Sequence, residues 1–204
     1  MTRVLSNVGW LAMVLLALLI AALSIRFFVL PADKAVPPLL LPVFLERNTI
    51  FMMHIIGGTI ALATGAWNFL ERSRERFLNL HRWLGRIYLV SVLVGGIAGF
   101  SLAFTAQGGL SARIGFGMLA VVWLVTAVFA YLRIRAYDIE SHRRWMIRNY
   151  ALTFGAVTLR LWLPALAAAG YSFPEAYATV AWLSWVPNLI IAEIIASRKY
   201  VASS

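Results

Sequence analysis

The chain of 204 residues has no cysteine, three histidines and only eight Asp and Glu. Without cysteine there are no disulfides, no zinc–thiolate centres and no thiol nucleophiles. So few carboxylates leave little for paired acid–base work or for a hydrolytic metal. His-Glu-x-x-His, Gly-x-Ser-x-Gly and phosphate-loop signatures are all missing. The run Gly95-Gly96-Ile97-Ala98-Gly99 lies inside an apolar stretch, where it cannot cradle a nucleotide. Charge is scarce as well. Charged residues form 13% of the chain, against roughly a quarter in globular domains. That is too little polar surface to cover a particle in water, which excludes a water-soluble fold.

What is abundant is hydrocarbon: 62% of residues are hydrophobic and the mean hydropathy is +0.82. Six apolar stretches, at about 8–30, 48–70, 83–104, 114–132, 145–169 and 176–196, are long enough to cross a bilayer. The sequence therefore predicts a single-domain, all-α integral membrane protein, a bundle of six transmembrane helices joined by short connections. Arg3 precedes the first stretch as in a secretion signal, but the apolar core is too long and Arg26-Phe27-Phe28 is a poor cleavage site, so this stretch reads as a retained helix.

The net charge of +10 has a topological reading. Thirteen of the eighteen Lys and Arg fall on one side: Arg3; Arg72, Arg74, Arg76, Arg82 and Arg86; Arg133, Arg135, Arg143, Arg144 and Arg148; Arg198 and Lys199. The other side holds Lys34, Arg47 and Arg113, while Arg26 and Arg160 lie within stretches. The positive-inside rule places both termini in the cytoplasm, and the expected location is a bacterial inner membrane. The loop Glu71-Arg72-Ser73-Arg74-Glu75-Arg76 mixes signs and lacks interleaved aromatics, so its expected partner is anionic headgroups rather than nucleic acid.

Polar groups inside the apolar stretches are costly and mark candidate sites. His54, Gly58, Ala61 and Gly65 share one helical face of the second stretch. His81, Gly85, Tyr88, Val92, Gly95 and Gly99 do so in the third, where the glycines also suit plain helix packing. Asn149, Thr153, Ala156 and Arg160 line the fifth stretch, and Asn188 and Glu193 flank the kink expected at Pro187 in the sixth. No acidic residue occurs at the depth of Arg160. Glu193 lies nearer the other end, with Arg148 or Arg144 as its expected partner.

Two segments resemble each other: His81-Arg82-Trp83-Leu84-Gly85-Arg86-Ile87-Tyr88 and His142-Arg143-Arg144-Trp145-Met146-Ile147-Arg148-Asn149-Tyr150. Each opens a helix running in the same direction, which suggests a parallel repeat of helix pairs. These segments, with Asn149-Tyr150-Ala151-Leu152-Thr153, Leu159-Arg160-Leu161-Trp162-Leu163-Pro164 and Trp185-Val186-Pro187-Asn188-Leu189, resemble a bacterial family of predicted membrane proteins, catalogued as a domain of unknown function, family 2306. The resemblance runs from His54 onward. It implies the membrane-spanning fold and carries no activity with it.

Three functions fit these residues. The first is a b-type haem protein in electron transfer, with His81 and His142 as ligands to the haem iron and Arg82, Arg86, Arg144 or Arg148 beside the propionates. The second is a binding or transport protein for an anionic or quinone-like amphiphile such as an acidic lipid. Its site would draw on His54, Arg160 and Asn188, with Asn149 and Tyr88 as further candidates and Trp162, Trp182 and Trp185 as an apolar wall. The third is a structural or accessory subunit docking through small-residue faces.

Overall fold

A computed structural model describes residues 2–68 and 76–201, with side chains from 8 to 68 and from 76 to 197. Residues 69–75 lie outside the described residues, and with them the loop 71–76 except Arg76 and the last two residues of the second apolar stretch. All regular structure among the described residues is helical. Six helices are long and apolar enough to span a membrane: Val8–Val29, Asn48–Asn68, Leu78–Ala103, Gly109–Arg135, Ile139–Ala168 and Phe173–Ser197. The third to sixth begin three to six residues before the apolar stretches do. Helical hydrogen bonding continues through polar first turns that hydropathy leaves out. Asp138 shows how, its side chain accepting from the Ser141 N–H at the start of the fifth span.

Outward faces carry the large apolar residues, among them Val90, Leu93, Ile97, Val125, Val128, Ile190 and Ile191. Inward faces are lined by small ones. Ala17, Ala61, Ala66, Ala98, Ala112, Ala130, Ala181 and Ala196 are all buried. In hydrocarbon no hydrophobic force draws helices together, so close backbone approach and internal hydrogen bonds must do so. The second and third spans meet most closely. A methyl group added at Gly57 would lie 2.6 Å from the Gly95 nitrogen and 2.7 Å from the Ser91 oxygen. The connection after the first span folds into short helices, where Phe44 packs edge-on against Phe51 above buried Ala35 and Val36.

Two adjacent spans are interrupted near their middles. The fifth breaks at Phe154, between Ile139–Thr153 and Gly155–Ala168. The sixth breaks at Ser184 and Trp185, between Phe173–Leu183 and Val186–Val201. Pro187 accounts for the second break, because it has no N–H for the Leu183 carbonyl and crowds it. At the first break the Thr153 hydroxyl donates back to the Asn149 carbonyl, a pattern that bends helices, and Thr158 Oγ1 lies 3.3 Å from the Phe154 carbonyl and 3.2 Å from that of Gly155. The breaks are stitched together: Thr158 Oγ1 donates to the Ser184 carbonyl. Asn188 Nδ2 lies 2.9 Å from that oxygen, 3.1 Å from Thr158 Oγ1 and 3.3 Å from the Ala151 carbonyl.

Candidate functional site

The polar residues sort into three levels. Spans three and five start, and spans two, four and six finish, at the end richest in arginine, called the basic end below.

The middle level is closed. Tyr88 and Asn149 are each 0% exposed. The Tyr88 hydroxyl donates to Asn149 Oδ1 at 2.6 Å and lies 2.8 Å from the Thr153 hydroxyl. Asn149 Nδ2 donates to the Trp123 carbonyl and to Thr126 Oγ1, each at 2.7 Å. Trp123 Nε1 donates to Thr153 Oγ1 at 2.8 Å. The Tyr150 hydroxyl donates to the Leu62 carbonyl at 3.2 Å, and the rings of Tyr88 and Tyr150 fill the space that a side chain at Gly65 would need. Every polar atom of Asn149 is thus committed to protein, and Asn149 and Tyr88 present nothing to a ligand. Trp123 and Thr126 were missing from the sequence reading. Their signal was the stripe Trp123, Thr126, Ala130 at i, i+3, i+7, masked because all three read as ordinary apolar-helix residues.

At the basic end, His81 and His142 stand seven residues before Tyr88 and Asn149, so from the Tyr88–Asn149 hydrogen bond both lie about 10 Å nearer the basic end. His142 Nδ1 lies 2.8 Å from the Ala130 carbonyl of the fourth span. The arginines there are engaged by protein groups. Arg148 makes a two-bonded pair with Glu193, Nε to Oε1 at 2.6 Å and Nη2 to Oε2 at 2.7 Å. Its guanidinium also lies over the Trp145 ring. Arg86 lies over Trp83, and Arg144 donates to Ser141 Oγ. Arg82 is exposed. The partner of Glu193 is therefore Arg148.

The level away from the basic end is different: it is open. His54 Nδ1 lies 2.9 Å from the Gly95 carbonyl, and the ring rests where a side chain at Gly99 would have to go, 2.8 Å from Nδ1. His54 lies within the second span, and the residue is exposed. A side chain at Gly58, one turn along the same helix, would meet no atom within 4 Å, so that position faces open space. Arg160 is half-buried and donates from Nη1 to the carbonyl of Ala156 in its own helix, at 2.9 Å. Its depth follows from the Tyr150–Leu62 hydrogen bond. From that contact His54 is eight residues and Arg160 ten residues away from the basic end, about 12 Å and about 15 Å of helix rise. The two side chains therefore stand at nearly one level. Among the described residues no carboxylate pairs with Arg160.

Asn188 is not part of this group. Its amide is used at the helix breaks. Of the tryptophans, Trp185 is buried with its N–H on the Ala181 carbonyl, and Trp162 is exposed. Trp182 donates to Ser111 Oγ and lines an open groove of about 540 Å³ with Thr179, Leu183 and Pro187. No cluster of three or more His, Asp or Glu able to hold a metal ion occurs among the described residues.

A family model described as predicted membrane protein (DUF2306) matches residues 51–196, which takes in every level of this polar interior. No curated protein and no solved structure matches the chain.

Proposed function

We propose that this chain, which belongs to the predicted membrane protein family DUF2306, is a binding or transport protein. Its open level would hold an anionic or quinone-like amphiphile through Arg160 and His54. The observation that carries the reading is a half-buried guanidinium, placed inside a span, with one donor on its own helix and no carboxylate partner among the described residues. A charge in such a place is stabilised by an opposite charge, and here the ligand would supply it. Asn149 and Tyr88 take a supporting role in this reading: they clamp the spans that carry the site. The proposed orientation puts the basic end, with both termini, in the cytoplasm of a bacterial inner membrane, so that the site faces the outer leaflet. Reporter fusions at the two ends check this, and a signal from outside the cell at either end would reverse it.

The binding test is mass spectrometry of amphiphiles that co-purify with the wild type and with Arg160→Gln. Loss of an acidic or quinone-like species in the variant is expected. Identical contents would overturn the reading.

A second reading is favoured by one observation: counted along the helices from the Tyr88–Asn149 bond, His81 and His142 come to a similar depth. Two imidazoles at one level suit a six-coordinate haem b, which would serve electron transfer. With Nδ1 of His142 on the Ala130 carbonyl, its Nε2 is the atom that would face the iron. A colourless protein from haem-replete cells, lacking a Soret band, would remove this reading.

A further inference from the structure

Arg160 and His54 have opposite hydrogen-bonding senses, and together they specify the headgroup. The Gly95 carbonyl, 2.9 Å from His54 Nδ1, can only accept. Nδ1 therefore carries the proton, and Nε2 of the neutral ring is left with a lone pair. The ring lies against Gly99 on the neighbouring span. Arg160 offers donors only, one of them already on Ala156. Gly58, one turn along the same helix, faces open space.

We propose that the site selects an amphiphile whose headgroup carries an anionic oxygen and a nearby free hydroxyl. The oxygen accepts from Arg160, and the hydroxyl donates to His54 Nε2. The class this describes is a phosphodiester lipid with a glycerol headgroup. The inference rests on the reading of Arg160 and His54 as one site, and narrows it. A quinone brings only acceptor oxygens, which would meet the lone pair of Nε2. A quinol brings hydroxyls but no charge for Arg160. An ethanolamine headgroup brings a donor, but as an ammonium beside the guanidinium of Arg160 it would be repelled.

The experiment measures binding of the full-length protein to phosphatidylcholine nanodiscs or vesicles doped with one competitor at a time. Phosphatidylglycerol is compared with phosphatidylmethanol, which has the same charge and no head hydroxyl, and with phosphatidylethanolamine and ubiquinol. Wild type should prefer phosphatidylglycerol over phosphatidylmethanol by about tenfold, the scale of one well-made hydrogen bond. His54→Phe should bring that ratio to about one while both anionic lipids still outcompete phosphatidylcholine. His54→Gln, whose amide oxygen can also accept, should restore part of the preference, and Arg160→Gln should weaken both anionic lipids together. If His54→Phe is not monodisperse, Gly58→Leu, at a position on the same helix that faces open space, should crowd the headgroup and lower phosphatidylglycerol binding. Equal binding of the two anionic lipids by wild type would overturn the hydroxyl inference and leave the anion site standing. Anionic lipids no better than phosphatidylcholine would overturn the site itself. Ethanolamine lipid or ubiquinol ahead of phosphatidylglycerol would also overturn the inference.

Discussion

The interior has two polar regions built from similar parts and put to opposite uses. Around Asn149 each donor meets an acceptor within the protein, and nothing is exposed. Around Arg160 and His54 the donors outnumber the acceptors, and His54 is exposed. Buried polar groups that satisfy one another rigidify a membrane bundle. Groups left unsatisfied at similar depth are expensive and so point to a ligand. In this protein, polarity inside the span separates scaffold from site only after the hydrogen bonds have been followed to their ends.

Substitutions can break that contrast, and they are taken here from the largest effect downward. Gly57→Leu forces a side chain into the Gly95 backbone. It should part the second and third spans and cost more than about 4 kcal/mol, seen as lost monodisperse yield. Asn149→Ala leaves the Tyr88 hydroxyl and a Trp123 carbonyl without their partner. A loss of about 3 kcal/mol is expected in detergent unfolding, with ligand binding unchanged in the fraction that remains folded. Arg160→Gln should do the reverse. Its stability should stay near wild type, while anionic-amphiphile binding weakens by about 2 kcal/mol, roughly thirtyfold in Kd. If Arg160→Gln unfolds the protein and Asn149→Ala abolishes binding without unfolding it, the assignment of scaffold and site is inverted.

Smaller effects sharpen the picture at the basic end. Glu193 is 51% exposed and Arg148 only 21%, so water screens the pair, and Glu193→Gln should cost at most about 1 kcal/mol. The least effect is expected at Asp138, in the loop before the fifth span. The Ser141 backbone N–H, and then its hydroxyl, hold the Asp138 carboxyl below the ordinary carboxylate range. With the folded value depressed, its contribution is complete above the usual carboxylate value and is lost as pH falls through the depressed one. A small drop in the unfolding midpoint on acidification is expected, flattened in Asp138→Asn. An acid response that is identical in the variant would assign it elsewhere.

Much of the scaffold was legible along the chain. Long apolar stretches locate the spans, Pro187 announces the break in the sixth, and the spacing of Glu193 and Arg148 from the basic end anticipates their pairing. The site was legible only in part. Arg160 stood out because no acidic residue shares its depth, and His54 because histidine on a glycine face points inward. Asn149 and Asn188, equally polar and equally deep, looked the same in sequence. Their partners are carbonyls and hydroxyls of Trp123, Thr126, Ala151 and Ser184, groups present along any helix, so no residue type betrays them. The break at Phe154 was hidden for the same reason: it comes from threonine hydroxyls competing for backbone carbonyls rather than from proline.

Local chemistry alone determined that the chain forms helices long enough to cross a bilayer and that its arginines gather at one end, because transfer of side chains into hydrocarbon is a sum over residues. Only the tertiary structure decided which polar groups are satisfied and which are left for a ligand. A hydrogen bond belongs to a pair of atoms, and the pairs that matter, Tyr88 with Asn149 and His54 with Gly95, lie 61 and 41 residues apart.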